Sequence, residues 1–140
     1  MNHKLLQVHT TGPGLYEVTR DAANFVQSTY KKDGLLTVFV RHTSCSLLIQ
    51  ENADPDVKTD LNGFFRRLVP PADDPSMQWV AHQAEGPDDL PAHVKSALTQ
   101  TTLGIPVIDG QMMLGMWQGI YLFEHRQRPS KREIVFFITG

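Results

Sequence analysis

Apolar and polar residues alternate at the start of the chain, over Lys4 to Thr10 and again over Leu15 to Thr19, with Gly12-Pro13-Gly14 between the two runs. A period of two predicts two half-buried strands, and the Gly-Pro-Gly segment predicts that they form an N-terminal hairpin. The period then changes. After Asp21, read as an N-cap, the residues Ala22, Phe25, Val26, Thr29 and Tyr30 share one helical face, and Gly34 supplies the stop. Leu35 to Val40 is a nearly continuous β-branched and aromatic run, which predicts a central strand covered on both faces; Ser46 to Gln50 continues it or pairs with it.

Asp54-Pro55 opens a second helix, with proline at the first helical position where its missing N–H costs little, and the stripe is Val57, Leu61, Phe64, Phe65 and Leu68. Residues 70–91 form one long connection. Asp88 or Asp89 caps a third helix with Pro91 in its first turn, a buried stripe of Leu90, Val94, Ala97, Leu98 and Thr101, and Gly104 as terminator. The last third reads as strands: Ile105 to Ile108, an Asp109-Gly110 hairpin turn, Gln111 to Gly115, Trp117 to Glu124 and Glu133 to Thr139. This order predicts an α+β domain with three helices rather than a doubly wound one. Both faces of the final strand are apolar, Val135 and Phe137 on one side and Ile134, Phe136 and Ile138 on the other. One helical layer does not cover both, so the second face is expected against another sheet or a neighbouring subunit.

Composition adds limits. At 140 residues, with 41% apolar and 20% charged residues, the chain suits one domain over residues 1–140. A net charge of -2 and a pI near 6.3 argue against nucleic acid, which needs a basic excess. Cys45 is the single cysteine, so neither an intrachain disulfide nor a thiolate zinc cluster within one chain forms. No apolar run resembles a signal peptide or approaches the roughly 20 residues of a membrane span. The expected location is the cytoplasm.

Candidate chemistry centres on histidine. His42 ends the central strand, His82 lies in the long loop and His93 in the first turns of the third helix. Strand ends and loops are where sites are built, and these three could supply neutral imidazoles to Zn²⁺ or a similar ion with one position left open. His3, His9 and His125 are read as ordinary side chains. Asp60 and His93 each fall three residues after the first stripe residue of their helix, about 60° off the stripe, and could point into one cleft. His42-Thr43-Ser44-Cys45-Ser46 sets an imidazole among hydroxyls directly after a strand and could cradle a phosphate, with Cys45 as a small packing residue. Glu124 is a candidate general base or acidic ligand, or else a partner of Arg126 or Arg132. Trp117 and Gln118 stand between Gly115 and Gly119, and the cluster Arg126, Arg128, Lys131 and Arg132 is either a solvated turn or an anion site.

The run from His42 through Glu51-Asn52-Ala53-Asp54-Pro55-Asp56-Val57, followed by Asp60-Leu61, resembles the signature segment of the YjbQ family. Pro70, His82, Ala92-His93, Ile105-Pro106-Val107, Asp109-Gly110, Leu114-Gly115, Trp117 to Tyr121 and Glu124 extend the resemblance over almost the whole chain. It implies a sandwich-like α+β subunit assembled as a homotrimer, with pockets near subunit boundaries. The family's polar positions fall here on His42, Thr43, Ser44, Asn52, Asp60, His82, His93, Trp117, Gln118 and Glu124. Many members carry Asn-Ala-x-Ala-His before the third helix, where this chain has Asp89-Leu90-Pro91-Ala92-His93.

The activity the resemblance implies is a secondary thiamine-phosphate synthase, which joins a hydroxymethylpyrimidine diphosphate to a thiazole phosphate and releases pyrophosphate. Under it, His42, Ser44 and Arg126 bind phosphate, and the three histidines with Asp60 or Glu124 hold a divalent ion, zinc or magnesium. Thr43, Asn52, Trp117 and Gln118 contact substrate, Trp117 facing a ring. The alternatives are a metal-dependent hydrolase of a small phosphorylated metabolite, with Glu124 or Asp60 as catalytic general base, and a non-enzymatic trimer that binds a metal or metabolite.

Overall fold

The computed structural model describes residues 2–140. Eight strands, β1 (His3–Thr10), β2 (Gly14–Glu17), β3 (Gly34–Val40), β4 (Cys45–Glu51), β5 (Thr102–Ile108), β6 (Gln111–Met112), β7 (Gln118–Glu124) and β8 (Ser130–Thr139), form two antiparallel sheets. One sheet has the order β1-β8-β3-β5-β6 and the other β2-β7-β4. Three helices accompany them: α1 (Thr19–Ser28), α2 (Pro55–Leu68) and α3 (Asp89–Leu98). The mixed α+β class read from the sequence holds.

The expected N-terminal hairpin does not form. β1 pairs with β8, from His3 opposite Phe137 to Thr10 opposite Ser130, whereas β2 pairs with β7 in the other sheet. Gly12 and Gly14, at φ 140° and 145°, let the chain turn across the gap between sheets rather than back on itself. Tyr16 pins this corner, its hydroxyl donating to the Gly12 carbonyl at 2.8 Å and accepting from the Thr11 N–H at 2.9 Å. β4 likewise neither continues nor pairs with β3, since it lies along β7 in the second sheet.

The inner faces of the two sheets share one core. Leu36, Val38, Ile134 and Phe136 come from the larger sheet and Leu47, Ile120 and Leu122 from the smaller, while α1 adds Ala22, Phe25 and Val26. Phe25 stacks on Phe136 with ring centroids 5.7 Å apart. α1 begins at Thr19, ahead of the expected cap at Asp21, because Thr19 is tied to β7: its hydroxyl accepts from the Ile120 N–H at 2.9 Å. The helix ends at Ser28, before Tyr30 at φ 56°, and Gly34 starts β3 instead of stopping α1.

β7 is covered on both faces. Ile120, Leu122 and Glu124 face the core, and Phe123 on the outer side meets Phe65 of α2 with centroids 5.3 Å apart. α2 starts as expected, with the Asp54 carboxylate accepting from the Asp56 N–H and Pro55 at its first position. β3 differs from expectation: Leu36, Val38 and Val40 are buried, whereas Leu35 and Phe39 are exposed. Together with Leu5, Phe137 and half-buried Val135 they give the larger sheet an apolar outer face.

α3 buries Asp89, Pro91, Ala92, Lys95 and Ser96 rather than the apolar stripe read from the sequence; Ala97 and Leu98 are exposed, and Thr101 lies past the helix. Leu90 and Val94 pack aside, on a small second core of Val69, Ala72, Met77 and Val80 under the long loop. Two of the polar residues of α3 are tolerated inside because they are bonded: Ser96 donates to the Cys45 carbonyl, and Arg126 reaches Asp89. Among the described residues no helix is long and apolar enough to cross a membrane.

Candidate metal centre

Asp89 and His93 lie four residues apart on α3, so the helix stacks both side chains on one face. His82 reaches the same place from the loop. Its Nε2 is 2.7 Å from Asp89 Oδ2, and His93 Nε2 is 3.1 Å from that same oxygen. The three groups offer ligand atoms that all lie within 4.8 Å of one another. Bonds of about 2.0–2.1 Å in a zinc tetrahedron give ligand edges of about 3.3 Å, so the separations of 3.1 and 2.7 Å need to open by about 0.2 and 0.6 Å.

The proton positions at His93 follow from its neighbours. Its Nδ1 lies 2.9 Å from the Thr43 carbonyl, which can only accept, so Nδ1 carries a hydrogen. Neutral His93 therefore presents a lone pair at Nε2, aimed at a carboxylate oxygen. Two lone pairs at 3.1 Å repel unless a proton or a cation lies between them. An imidazole held through Nδ1–H by a backbone carbonyl, with Nε2 facing outward, is the usual arrangement of a metal-ligating histidine.

Asp89 is held in turn. Its side chain is 2% exposed, and Arg126 Nη1 donates to Oδ1, leaving Oδ2 to the two imidazoles. Burial alone would push the Asp89 carboxyl up, but the bond from His82 and the charge of Arg126 outweigh it and hold the group below the ordinary carboxylate range. Arg126 also donates from Nε to Asp88 Oδ2 at 3.0 Å and from Nη2 to the Glu85 carbonyl at 3.2 Å. It is a buried strut between the β7–β8 connection and the start of α3, with its donors spent inside the protein, and not the open phosphate ligand expected from the sequence.

His42 stands outside the cluster. Its Nε2 accepts the Glu133 backbone N–H at 2.8 Å, which occupies the lone pair a metal would need there, and its Nδ1 faces Arg132 Nη1 at 3.4 Å. Burial and the nearby Arg132 lower its pKa, so the ring is neutral. Thr43 meets the site through its carbonyl, and the Ser44 carbonyl accepts from Arg132 at 3.2 Å. The Cys45 thiol, buried and pushed up to about 12, is a packing residue.

Glu124 is fully buried between the sheets and filled with donors. Oε1 accepts from Thr10 at 2.6 Å and Arg132 Nε at 2.7 Å, and Oε2 accepts from Arg132 Nη2 and from the N–H groups of His125 and Arg126. Burial pushes its carboxyl up, but the bonds from Arg132 and Thr10 prevail and lower it. No lone pair is left for a base or a ligand. Asp60, exposed on α2, does not join His93; the carboxylate beside the imidazoles is Asp89, read from the sequence only as a cap. The spacing Asp89-x-x-x-His93 was the signal that could have found it.

Asn52, Trp117 and Gln118 gather elsewhere. The Asn52 N–H bonds to the Trp117 carbonyl at 3.0 Å, and Gln118 Oε1 accepts from Gly115 N at 2.7 Å. They lie where Glu51 pairs with Gln118, whereas the imidazoles approach the end where Cys45 pairs with Glu124. At about 3.4 Å per residue the length of β7 puts roughly 20 Å between the two ends.

Fold and site together define a two-sheet α+β protein with a His82-Asp89-His93 cluster near the Cys45–Glu124 end of its smaller sheet. The chain belongs to the YjbQ family: the profile described as UPF0047 protein YjbQ-like matches residues 4–140. It is similar to a UPF0047 protein of Synechocystis sp., 48% identical over 139 residues that cover 99% of this chain and 92% of that one. It is also similar to the UPF0047 protein YjbQ of Escherichia coli O157:H7, 38% identical over 98% of this chain and 96% of that one. Among solved structures, a YjbQ/UPF0047 family protein of Clostridium acetobutylicum aligns with a TM-score of 0.86 at 28% identity over 97% of this chain and 99% of that one. A conserved hypothetical protein of Thermus thermophilus aligns at 0.81 with 34% identity, over 96% and 98%.

Proposed function

We propose that His82, Asp89 and His93 bind a divalent metal ion and that the chain uses it on a small phosphorylated metabolite, the leading reaction being secondary thiamine-phosphate synthesis. The convergence of His82 Nε2 and His93 Nε2 on Asp89 Oδ2, with His93 oriented by its Nδ1–H bond to the Thr43 carbonyl, carries this reading. Two imidazoles and one carboxylate are a borderline donor set that favours zinc over magnesium. A bound ion supplies positive charge to phosphate oxygens. The chain's own contribution is orientation: Thr43 fixes the His93 tautomer, and Arg126 turns Asp89 so that Oδ2 faces the imidazoles. In the synthase reaction the pyrimidine methylene–oxygen bond breaks, the methylene–thiazole nitrogen bond forms, and pyrophosphate leaves with the electron pair. Charge at the leaving group is what such a site can stabilise.

The same donor set favours, as a second reading, hydrolysis of a small phosphate ester. The homotrimer belongs to the proposal too, supported by the apolar outer face of the larger sheet, and so does a cytoplasmic location. The test is metal content by mass spectrometry of wild type, His93→Ala and Asp89→Asn, followed by pyrophosphate release from both thiamine precursors. One ion per wild-type chain and a loss of affinity of about 10–100-fold or more in each variant are expected. Equal metal content in all three proteins removes the centre. Metal binding without pyrophosphate release, but with phosphate-ester hydrolysis that falls in His93→Ala, selects the second reading.

A further inference from the structure

Another flank of α3 faces a cavity of about 300 Å³, at the lower end of small-molecule pockets. Lys95, Arg66, Asn62, Gln127 and His125 line it together with prolines. At 100° per residue Lys95 lies about 160° around the helix from His93, so this cavity and the imidazole pair are separate places.

Its electrostatics are unbalanced. Lys95 is 9% exposed as a residue, its stem buried while its ammonium reaches solvent, and among the described residues that ammonium makes no hydrogen bond or ion pair. Arg66, from the last turn of α2, lines the same cavity and likewise has no ion pair among the described residues. Burial and the Arg66 charge together lower the Lys95 pKa. Asp88 also lines the cavity and its charge partly offsets these effects on Lys95, but its Oδ2 is held by Arg126 Nε at 3.0 Å and the Gln127 N–H at 2.9 Å. Two adjacent cations, one carried on a largely buried stem, repel each other unless an anion joins them.

The space continues along α2. A neighbouring cavity shares Pro13, Asn62 and Arg66 and adds Lys58 and Thr59. Lys58, Asn62 and Arg66 recur every four residues, so one helix face presents amide and cations in a row.

We propose that this groove is an oxyanion site for the phosphate of a small organophosphate. Lys95 and Arg66 hold the phosphate oxygens, Asn62 and Gln127 donate side-chain N–H groups, and the proline walls take the apolar part of the molecule. The site stands independently of the metal centre.

The test is titration of the metal-stripped full-length protein with inorganic phosphate, by calorimetry and melting temperature, at a fixed ionic strength of about 0.15 M. Saturable binding and a rise in Tm of about 3–5 °C at roughly tenfold excess over Kd are expected. Lys95→Met and Arg66→Gln each weaken binding about tenfold or more. Lys95→Met, which removes one of two adjacent cations and keeps the apolar stem, melts no lower than wild type without phosphate. Should it fail to fold, Arg66→Gln, altered at an exposed residue, tests the same contact with phosphate. His93→Ala keeps its phosphate affinity, which separates this site from the metal centre. Absence of saturable binding, or binding unchanged in Lys95→Met and Arg66→Gln, overturns the proposal. Acetate binding as tightly as phosphate overturns the phosphate assignment.

Discussion

Replacing Glu124 by glutamine keeps shape and removes one charge, and the structure fixes what this costs. The amide can turn either way. With its nitrogen toward His125 N–H, Arg126 N–H and Arg132 Nη2, three donors lose their acceptor. Flipped, the oxygen keeps those three while the nitrogen meets Thr10, whose hydroxyl can turn its hydrogen to the Ser130 carbonyl, and Arg132 Nε, which cannot adapt. The flipped form is cheaper, yet it leaves a buried guanidinium without its counter-charge. Breaking such a pair costs about 3–5 kcal/mol, a large share of the roughly 5–15 kcal/mol that stabilises a domain. With a urea dependence near 2 kcal/mol per molar, the unfolding midpoint should fall by about 2 M at pH 7. Removing both partners, as Glu124→Leu with Arg132→Leu, should restore most of the loss. The Glu124 carboxyl is lowered from its ordinary 4.5 in the folded chain, so its contribution is present above pH 4.5 and disappears as pH falls through the lower folded value. Glu124→Gln should therefore lose less stability than wild type in that acid range. A variant within about 1 kcal/mol of wild type refutes this account, and one that is fully stable but inactive returns Glu124 to the role of catalytic base.

His125 is buried, and desolvation reinforced by Lys95 lowers its pKa from 6.5 to about 3, so the unfolded chain binds a proton that the folded chain refuses. Stability should fall as pH drops below 6.5, by about 2–3 kcal/mol from this group at pH 4.5; His42 adds to the fall, and His125→Phe should flatten it in urea unfolding at pH 7 and 4.5. A pH dependence unchanged in that variant contradicts the burial argument. On the outer face of the larger sheet, Leu35 and Phe39 are 45% and 44% exposed and Phe137 is 37% exposed, so large apolar side chains share one open face. Sedimentation of wild type at three times the 15.8 kDa chain mass, and of Phe137→Glu as a monomer, is the expected result. A wild-type monomer, or an undisturbed trimer in the variant, rules out this face as the contact.

Local signals were readable in the sequence because they act over a few residues. Asp54-Pro55 opens α2 where expected, and Asp109 and Gly110, at φ 52° and 78°, make the hairpin turn that their identities announce. Sheet membership was not readable, since β1 finds β8 more than a hundred residues away while the glycine corner that separates it from β2 looks like a hairpin turn. Hydrophobic periodicity misjudged α3 for a related reason. Leu90 and Val94 point to the small core, but the flank facing the body of the protein carries Asp89, Lys95 and Ser96, and what permits Asp89 there is Arg126, thirty-seven residues further along.

The same long-range partners decide which carboxylate can do chemistry. Glu124 and Asp89 are both buried, both on the charged side of their titration, and both gripped by an arginine. They differ in what the grip leaves over. Arg132, Thr10 and two backbone N–H groups take both Glu124 oxygens, while Arg126 takes only Oδ1 of Asp89 and thereby aims Oδ2 at two imidazoles. A sequence reveals that a carboxylate exists, but its free lone pairs appear only once every donor around it has been placed. Glu124 is thus a joint between the sheets, and Asp89 is the acidic member of the histidine cluster.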